Sequence, residues 1–108
     1  MNWAHEILRD IFFRKGRIEP IPDSYTFVGI VSRSIPKMHV IGVQLESVAL
    51  KRGDRIAIEC PMDFREQTIE SLEIDNKPVD EASAGSLVGI RFDDADVAIG
   101  MRVFRVNS

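Results

Sequence analysis

The apolar positions change their period part-way along the chain. In residues 3–15 (WAHEILRDIFFRK), Trp3, Ala4, Ile7, Leu8, Ile11 and Phe12 recur three and four apart, with His5, Glu6, Arg9 and Asp10 on the remaining arc. This spacing predicts an amphipathic helix, with Asn2 to cap its start and Gly16 to end it. Its apolar stripe can pack on the chain's own domain or dock on a partner or a second copy, with a membrane interface as a third use. Pro20 and Pro22 cannot continue a helix, so residues 18–23 read as an extended connector.

From Tyr25 the pattern becomes that of strands. Tyr25–Arg33 and Met38–Leu45 are rich in β-branched residues and flank a turn containing Pro36, which predicts an antiparallel pair. Gly29 and Gly42 inside them imply sharp bending or close backbone approach. Lys51-Arg52-Gly53-Asp54 is a tight turn. After it, Ile56, Ile58 and Cys60 alternate with Arg55, Ala57 and Glu59, the signature of a half-buried strand with the first set inward. Phe64–Asp75 reads as one longer strand in which Ile69 and Leu72, three apart, both face inward if a bulge near Glu70-Ser71 shifts the register. Asn76–Ser86 is a structured connection. Val88, Ile90 and Phe92 alternate with Gly89 and Arg91, and Arg102–Val106 is the last strand. Six short strands behind a single helix predict an all-β barrel or sandwich, and closure would remove its exposed edges. Residues 1–22 are then helix and connector, and residues 23–108 the barrel.

Composition fits one small domain. The 108 residues are 44% hydrophobic and 29% charged, enough for a core without staples. Cys60 is the single cysteine, which excludes an internal disulfide, and with only His5 and His39 beside it no zinc constellation is expected. A reduced, cytoplasmic protein follows, since no apolar run reaches the ~20 residues of a membrane span and Glu6, Arg9 and Asp10 interrupt any leader-like start. The net charge of −3 is uneven: nine Lys/Arg stand against six Asp/Glu in residues 1–55, and five against eleven in residues 56–108. Such blocks hint at two faces unless folding interleaves them.

The order of motifs from Leu50 onward resembles domain 2 of elongation factor Tu and its relatives. The turn and strand Lys51-Arg52-Gly53-Asp54-Arg55-Ile56 is followed by Ser71-Leu72-Glu73-Ile74, then by Ala82-Ser83-Ala84-Gly85-Ser86-Leu87-Val88-Gly89-Ile90, then by Gly100 before the closing strand. Phe64, Gln67, Ser71, Pro78, Val79 and Ala82 also stand as in small stand-alone versions of that barrel, and a related barrel closes a collagenase-like peptidase family. The resemblance implies a closed six-stranded antiparallel Greek-key barrel of the translation-protein type, preceded here by the helix. It also implies a translation-associated binding module with tRNA, ribosome or a translation protein as partner. The relatives' Gly-Asp at the last corner is Gly100-Met101 in this chain.

Chemistry narrows the function further. The phosphate loop GxxxxGK[ST] is absent, and Asn76-Lys77-Pro78-Val79 places Asp80 one position late for guanine recognition, so no GTPase and no bound cofactor are expected. Two histidines leave few nucleophile–base geometries; His39 sits near a turn and Cys60 at an inward, structural position. The acidic groups Glu70-Glu73-Asp75 and Asp93-Asp94-Asp96 lack the spacing of a calcium loop. Arg33, Lys37, Lys51, Arg52 and Arg55 flank two turns and would form a phosphate-binding patch for RNA if those turns met, with Tyr25 and Phe27 nearby for base stacking. The expectation is therefore a non-enzymatic binding module. The alternative is an accessory or self-associating subunit that docks through Trp3, Ile7, Leu8, Ile11 and Phe12, with no membrane involved.

Overall fold

The computed structural model describes residues 18–61, 63–94 and 97–107. The helix expected over residues 3–15, with its candidate docking residues Trp3, Ile7, Leu8, Ile11 and Phe12, lies outside them. The chain enters through the connector, where Pro22 accepts the Tyr25 amide at 3.0 Å, and goes straight into strand β1 (Tyr25–Ile35). A 3-10 turn over Pro36–Met38, closed by His39 in a left-handed conformation, leads back along β2 (Val40–Leu45). This is the predicted antiparallel pair.

The remaining strands are β3 (Leu50–Lys51), β4 (Arg55–Glu59), β5 (Phe64–Thr68), β6 (Leu72–Ile74), β7 (Lys77–Pro78), β8 (Glu81–Ala82), β9 (Leu87–Arg91) and β10 (Arg102–Val106). Eight of them form one antiparallel sheet in the order β5-β4-β10-β1-β2-β9-β6-β7, and β3 pairs with β8 apart from it. Val28, Val31, Ile41, Val43, Leu45, Ile56, Ile58, Leu72, Val88, Ile90 and Val103 fill the concave side as one cluster. Within β2, β4 and β9 every second residue contributes, as the pleat demands, while in β1 register shifts set Val28 and Val31 three apart.

The sheet corrects the expectation of a closed six-stranded barrel. Its ladder is open, with β5 and β7 as edges. The reason lies in Phe64–Asp75, expected as one bulged strand. Ile69 and Leu72 are both buried, as their spacing required, but the chain reaches this by changing neighbours: the Ile69 backbone still bonds to Gly53 and Asp54 ahead of β4, and the chain then crosses over before Leu72. β5 stays on β4, while β6 crosses to β9 and β7. Pro78 in β7 has no amide hydrogen to offer a further strand. The β5 edge meets the end of β9 through a side chain instead: Gln67 donates its amide to the Arg91 carbonyl at 2.8 Å and accepts from the Asp93 N–H at 3.0 Å.

β4 also departs from simple alternation. Ile56, Ala57, Ile58 and Glu59 are all buried, so the convex side is covered here as well. Ala57 pairs with Phe104 and with Glu66, and Phe104 lies within 6 Å of the Tyr25, Phe27 and Phe64 rings, so aromatic side chains sheathe this side of the sheet. At its border Arg102 grips Glu59 through two hydrogen bonds, of 2.8 and 2.5 Å. The connector is tied to the same pair, since the Ile18 amide donates to Glu59 and Arg102 reaches the Ile18 carbonyl.

Gly29 shows why the sheet can curl so tightly. A β-carbon there would stand 2.1 Å from the Gln44 carbonyl oxygen, closer than any side chain can approach, and β1 slips register at this point against β10.

Candidate functional site

Strand register brings one convex row of residues together. Arg33 of β1 pairs with Gly42 of β2, Gly42 with Gly89 of β9, Gly89 with Glu73 of β6, and Glu73 with Pro78 of β7. The neighbouring core pairs Ile41–Ile90 and Val43–Val88 point to the other side, so this row faces outward. Two adjacent glycines leave its centre without side chains. The result is a groove of about 260 Å³ walled by Ile35, Val40 and Leu87, with Arg33 on one flank and Glu73 and Asp75 on the other. Leu87 is 57% exposed, an apolar side chain standing in water at the groove's lip.

The two glycines differ in why they are there. A β-carbon at Gly42 would press on the Arg33 β-carbon at 3.1 Å, so bulged β1 requires glycine or a local shift. At Gly89 a β-carbon would lie 3.9 Å from that of Glu73, an ordinary contact, and the backbone is not left-handed. Packing does not demand glycine at 89, although glycine within a strand costs about 0.5–1 kcal/mol relative to alanine.

The groove's charges are also uncommitted. Among the described residues Arg33, Glu73 and Asp75 have no ion-pair partner, whereas many other charged groups of the surface are paired: Arg52 with Asp80 at 2.9 Å, Arg55 with Glu66 at 2.8 Å, and Arg65 with both Asp63 and Asp94. A broader, shallower depression along the β5 edge is lined by Arg65, Gln67, Asp93 and Asp94. Its polar groups already bind one another across the seam, which leaves them little to offer a ligand.

The residues expected to form a basic patch stand apart. Register sets Ile56 opposite Arg105 and Arg105 opposite Thr26, so Arg55, Lys51 and Arg52 lie near the start of β1. Arg33 and Lys37 lie at its far end, on the order of 25 Å away at the rise of an extended strand. Tyr25 and Phe27 belong to the aromatic sheath. The Tyr25 hydroxyl donates to Glu66 at 2.5 Å, and burial together with that carboxylate pushes its pKa up to about 12. The same hydrogen bond and Arg55 hold the Glu66 carboxyl below its usual range.

The remaining candidates for chemistry are dispersed. His39 is exposed at the turn before β2, and Cys60 is 1% exposed and in no disulfide. Among the described residues no group of His, Cys, Asp and Glu is placed to hold a metal ion, and no helix is long and apolar enough to cross a membrane. The sequence reading missed the groove because its floor is made of residues with no side chain. The available signal was Gly42 and Gly89 at outward positions of strands that are otherwise apolar and β-branched.

No protein-family model matches the chain, and no curated protein does. Among solved structures, the C-terminal domain of a Geobacillus thermoleovorans protein described as a U32 peptidase superimposes with a TM-score of 0.68. It is 19% identical over 75% of this chain and 92% of that one. The selenomethionine form of that domain gives 0.65 at 18% identity, over 72% and 96%. At such identity the likeness is one of fold. It also corrects the sequence resemblance, because the neighbour is the C-terminal domain of a protein described as a U32 peptidase and not domain 2 of elongation factor Tu. The residues that carried the resemblance explain the error. Gly53, Gly85 and Gly100 all take positive φ at corners, and Ile56, Leu72 and Ile90 fill the core, demands that any small curled sheet makes.

Proposed function

We propose that this chain is a non-enzymatic binding module whose ligand is a protein segment, held in the groove over Gly42 and Gly89. The observation that carries the proposal is the outward row Arg33–Gly42–Gly89–Glu73, an open floor between charges that have no ion-pair partner among the described residues, with a glycine at 89 that packing does not require. A protein ligand suits a groove that mixes an exposed apolar lip with opposite charges at its two flanks. Among the described residues His39 is exposed at a turn and Cys60 is buried in the core, which favours a binding role over a nucleophile–base pair formed by these two. The solved likenesses are terminal domains of a larger protein, which fits an accessory role.

Two further parts of the proposal rest on sequence. The single cysteine, buried and in no disulfide, fits a reducing, cytoplasmic location. The apolar stripe of residues 3–15 serves a second contact, with a partner or another copy, which sedimentation of the chain with and without residues 1–17 would detect as a change in mass.

The groove is tested by titrating the isotope-labelled protein with a panel of short extended peptides while following backbone amide shifts. Changes concentrated at Gly42, Gly89 and Leu87 are expected and should vanish in a Gly89→Val variant of unchanged fold. Shifts centred elsewhere, or none with any peptide, would overturn the reading.

A further inference from the structure

The groove's dimensions select among protein segments, and this inference rests on the binding role proposed above. Arg33 and Glu73 are three strand intervals apart in the sheet, about 14 Å at the usual spacing of about 4.8 Å. An extended segment advances about 3.4 Å per residue, so two of its residues four apart stand at nearly that distance and point the same way. The residue midway between them also points to the sheet, and below it lie the two glycines between Ile35, Val40 and Leu87. We infer that the groove takes an extended peptide lying across the strands. One acidic residue meets Arg33, one basic residue four positions away meets Glu73 and Asp75, and a small apolar residue between them fills the space above Gly42 and Gly89.

Each element of this match has its own basis. Arg33 presents a planar fork suited to a carboxylate and has no ion-pair partner among the described residues. Glu73 sits on β6, and Asp75 opens the Asp75–Asn76 turn, where both residues have positive φ, so two carboxylates flank the same end. With Arg33 on the opposite flank and neither acid ion-paired among the described residues, that end is negative and prefers lysine or arginine. A small apolar residue suits the centre, where it seats above the two glycines between the side chains of Ile35, Val40 and Leu87.

The probe is the blocked heptapeptide Thr-Asp-Thr-Val-Thr-Lys-Thr, compared with a version in which both charged residues are serine and with one in which the lysine stands two positions from the aspartate. Amide shifts report the site and the affinity. The four-apart peptide is expected to bind about tenfold tighter than either control, with shifts at Gly42 and Gly89, and Glu73→Gln is expected to remove that advantage while leaving the serine peptide unaffected. Equal affinity for all three peptides at Gly42 and Gly89 would overturn the charge-spaced recognition and leave the groove standing as a binding site. Absence of shifts at those glycines with every peptide would overturn both. Gly89→Ala, which fits the packing, serves as the folded variant in which a single added methyl weakens the four-apart peptide.

Discussion

Glu59 and Arg102 form a two-pronged ion pair on the convex side of the sheet, with the Glu59 side chain 3% exposed and that of Arg102 16% exposed. The two residues come from β4 and β10, which are neighbours in the sheet, and the pair also receives the connector through Ile18 and Glu19. A buried pair of this kind offers little net stability over an apolar substitute, because burial costs each charge its hydration. Losing one member is a different matter. Arg102→Met leaves the Glu59 carboxylate buried without its guanidinium, and the expected loss is about 3–5 kcal/mol in urea unfolding. The double variant Glu59→Leu with Arg102→Met should recover much of it, and a double variant no better than the single one would contradict this account.

Tyr25 is the only tyrosine, so its ionisation can be read directly from phenolate absorbance. Burial and the Glu66 carboxylate disfavour the phenolate and place the pKa near 12, against about 10 in the unfolded chain. Folding thus favours the protonated phenol. The resulting stability is complete below about pH 10 and declines as pH rises toward 12, where the folded protein also ionises. Glu66→Gln removes the carboxylate acceptor and should bring the midpoint part of the way back, while burial holds the rest.

The partner group works in the opposite direction. The Glu66 carboxyl is held below its ordinary range by the phenol hydroxyl and Arg55, so the stability it contributes is present above its unfolded pKa and disappears as pH falls through the folded one. The Arg55→Gln variant should therefore lose less on acidification than the native chain, measured as the change in melting temperature between neutral pH and about pH 3.

Two strand glycines make a sharp contrast. At Gly29 an added methyl meets the Gln44 carbonyl oxygen, and since backbone cannot swing aside, Gly29→Ala should cost about 3 kcal/mol or more. At Gly89 the methyl fits, and Gly89→Ala should be neutral or stabilising by about 0.5–1 kcal/mol. Thermal melts of the two variants side by side decide it.

Alternation and turn residues were enough to place β1, β2, β4, β9 and β10, because local patterns of branched apolar residues dictate a strand wherever one face is buried. The close approach at Gly29 was legible for the same reason: glycine in such a strand needs a cause. What escaped was decided by distant residues. Glu59 reads as an outward position, and its burial is made tolerable by distant groups, Arg102, 43 residues away, and the Ile18 amide, 41 residues away. The break between Thr68 and Leu72 looks like a bulge because a bulge and a change of sheet neighbour solve the same local problem, the inward placing of Ile69 and Leu72. The groove depends on register across four strands, which no local pattern records.

Gln67 concentrates the difference between an open and a closed sheet in one side chain. Its carboxamide offers an N–H donor and an oxygen acceptor side by side, as a peptide group does, and it uses both on the backbone at and just past the end of β9, as a further strand would. Arg65 adds its ion pair to Asp94 on the same seam. Gln67→Glu keeps the size and the acceptor for Asp93 but turns the donor into a second oxygen facing the Arg91 carbonyl. Gln67→Leu removes both bonds and leaves the two backbone groups to water. Each should cost about 1–2 kcal/mol, with the glutamate variant recovering at low pH, where the protonated carboxyl can again donate. Hydrogen exchange at the Asp93 amide should accelerate strongly in Gln67→Leu while amides of β1 and β2 keep their protection. Uniform acceleration throughout the sheet would mean instead that the seam holds the entire fold together rather than one edge.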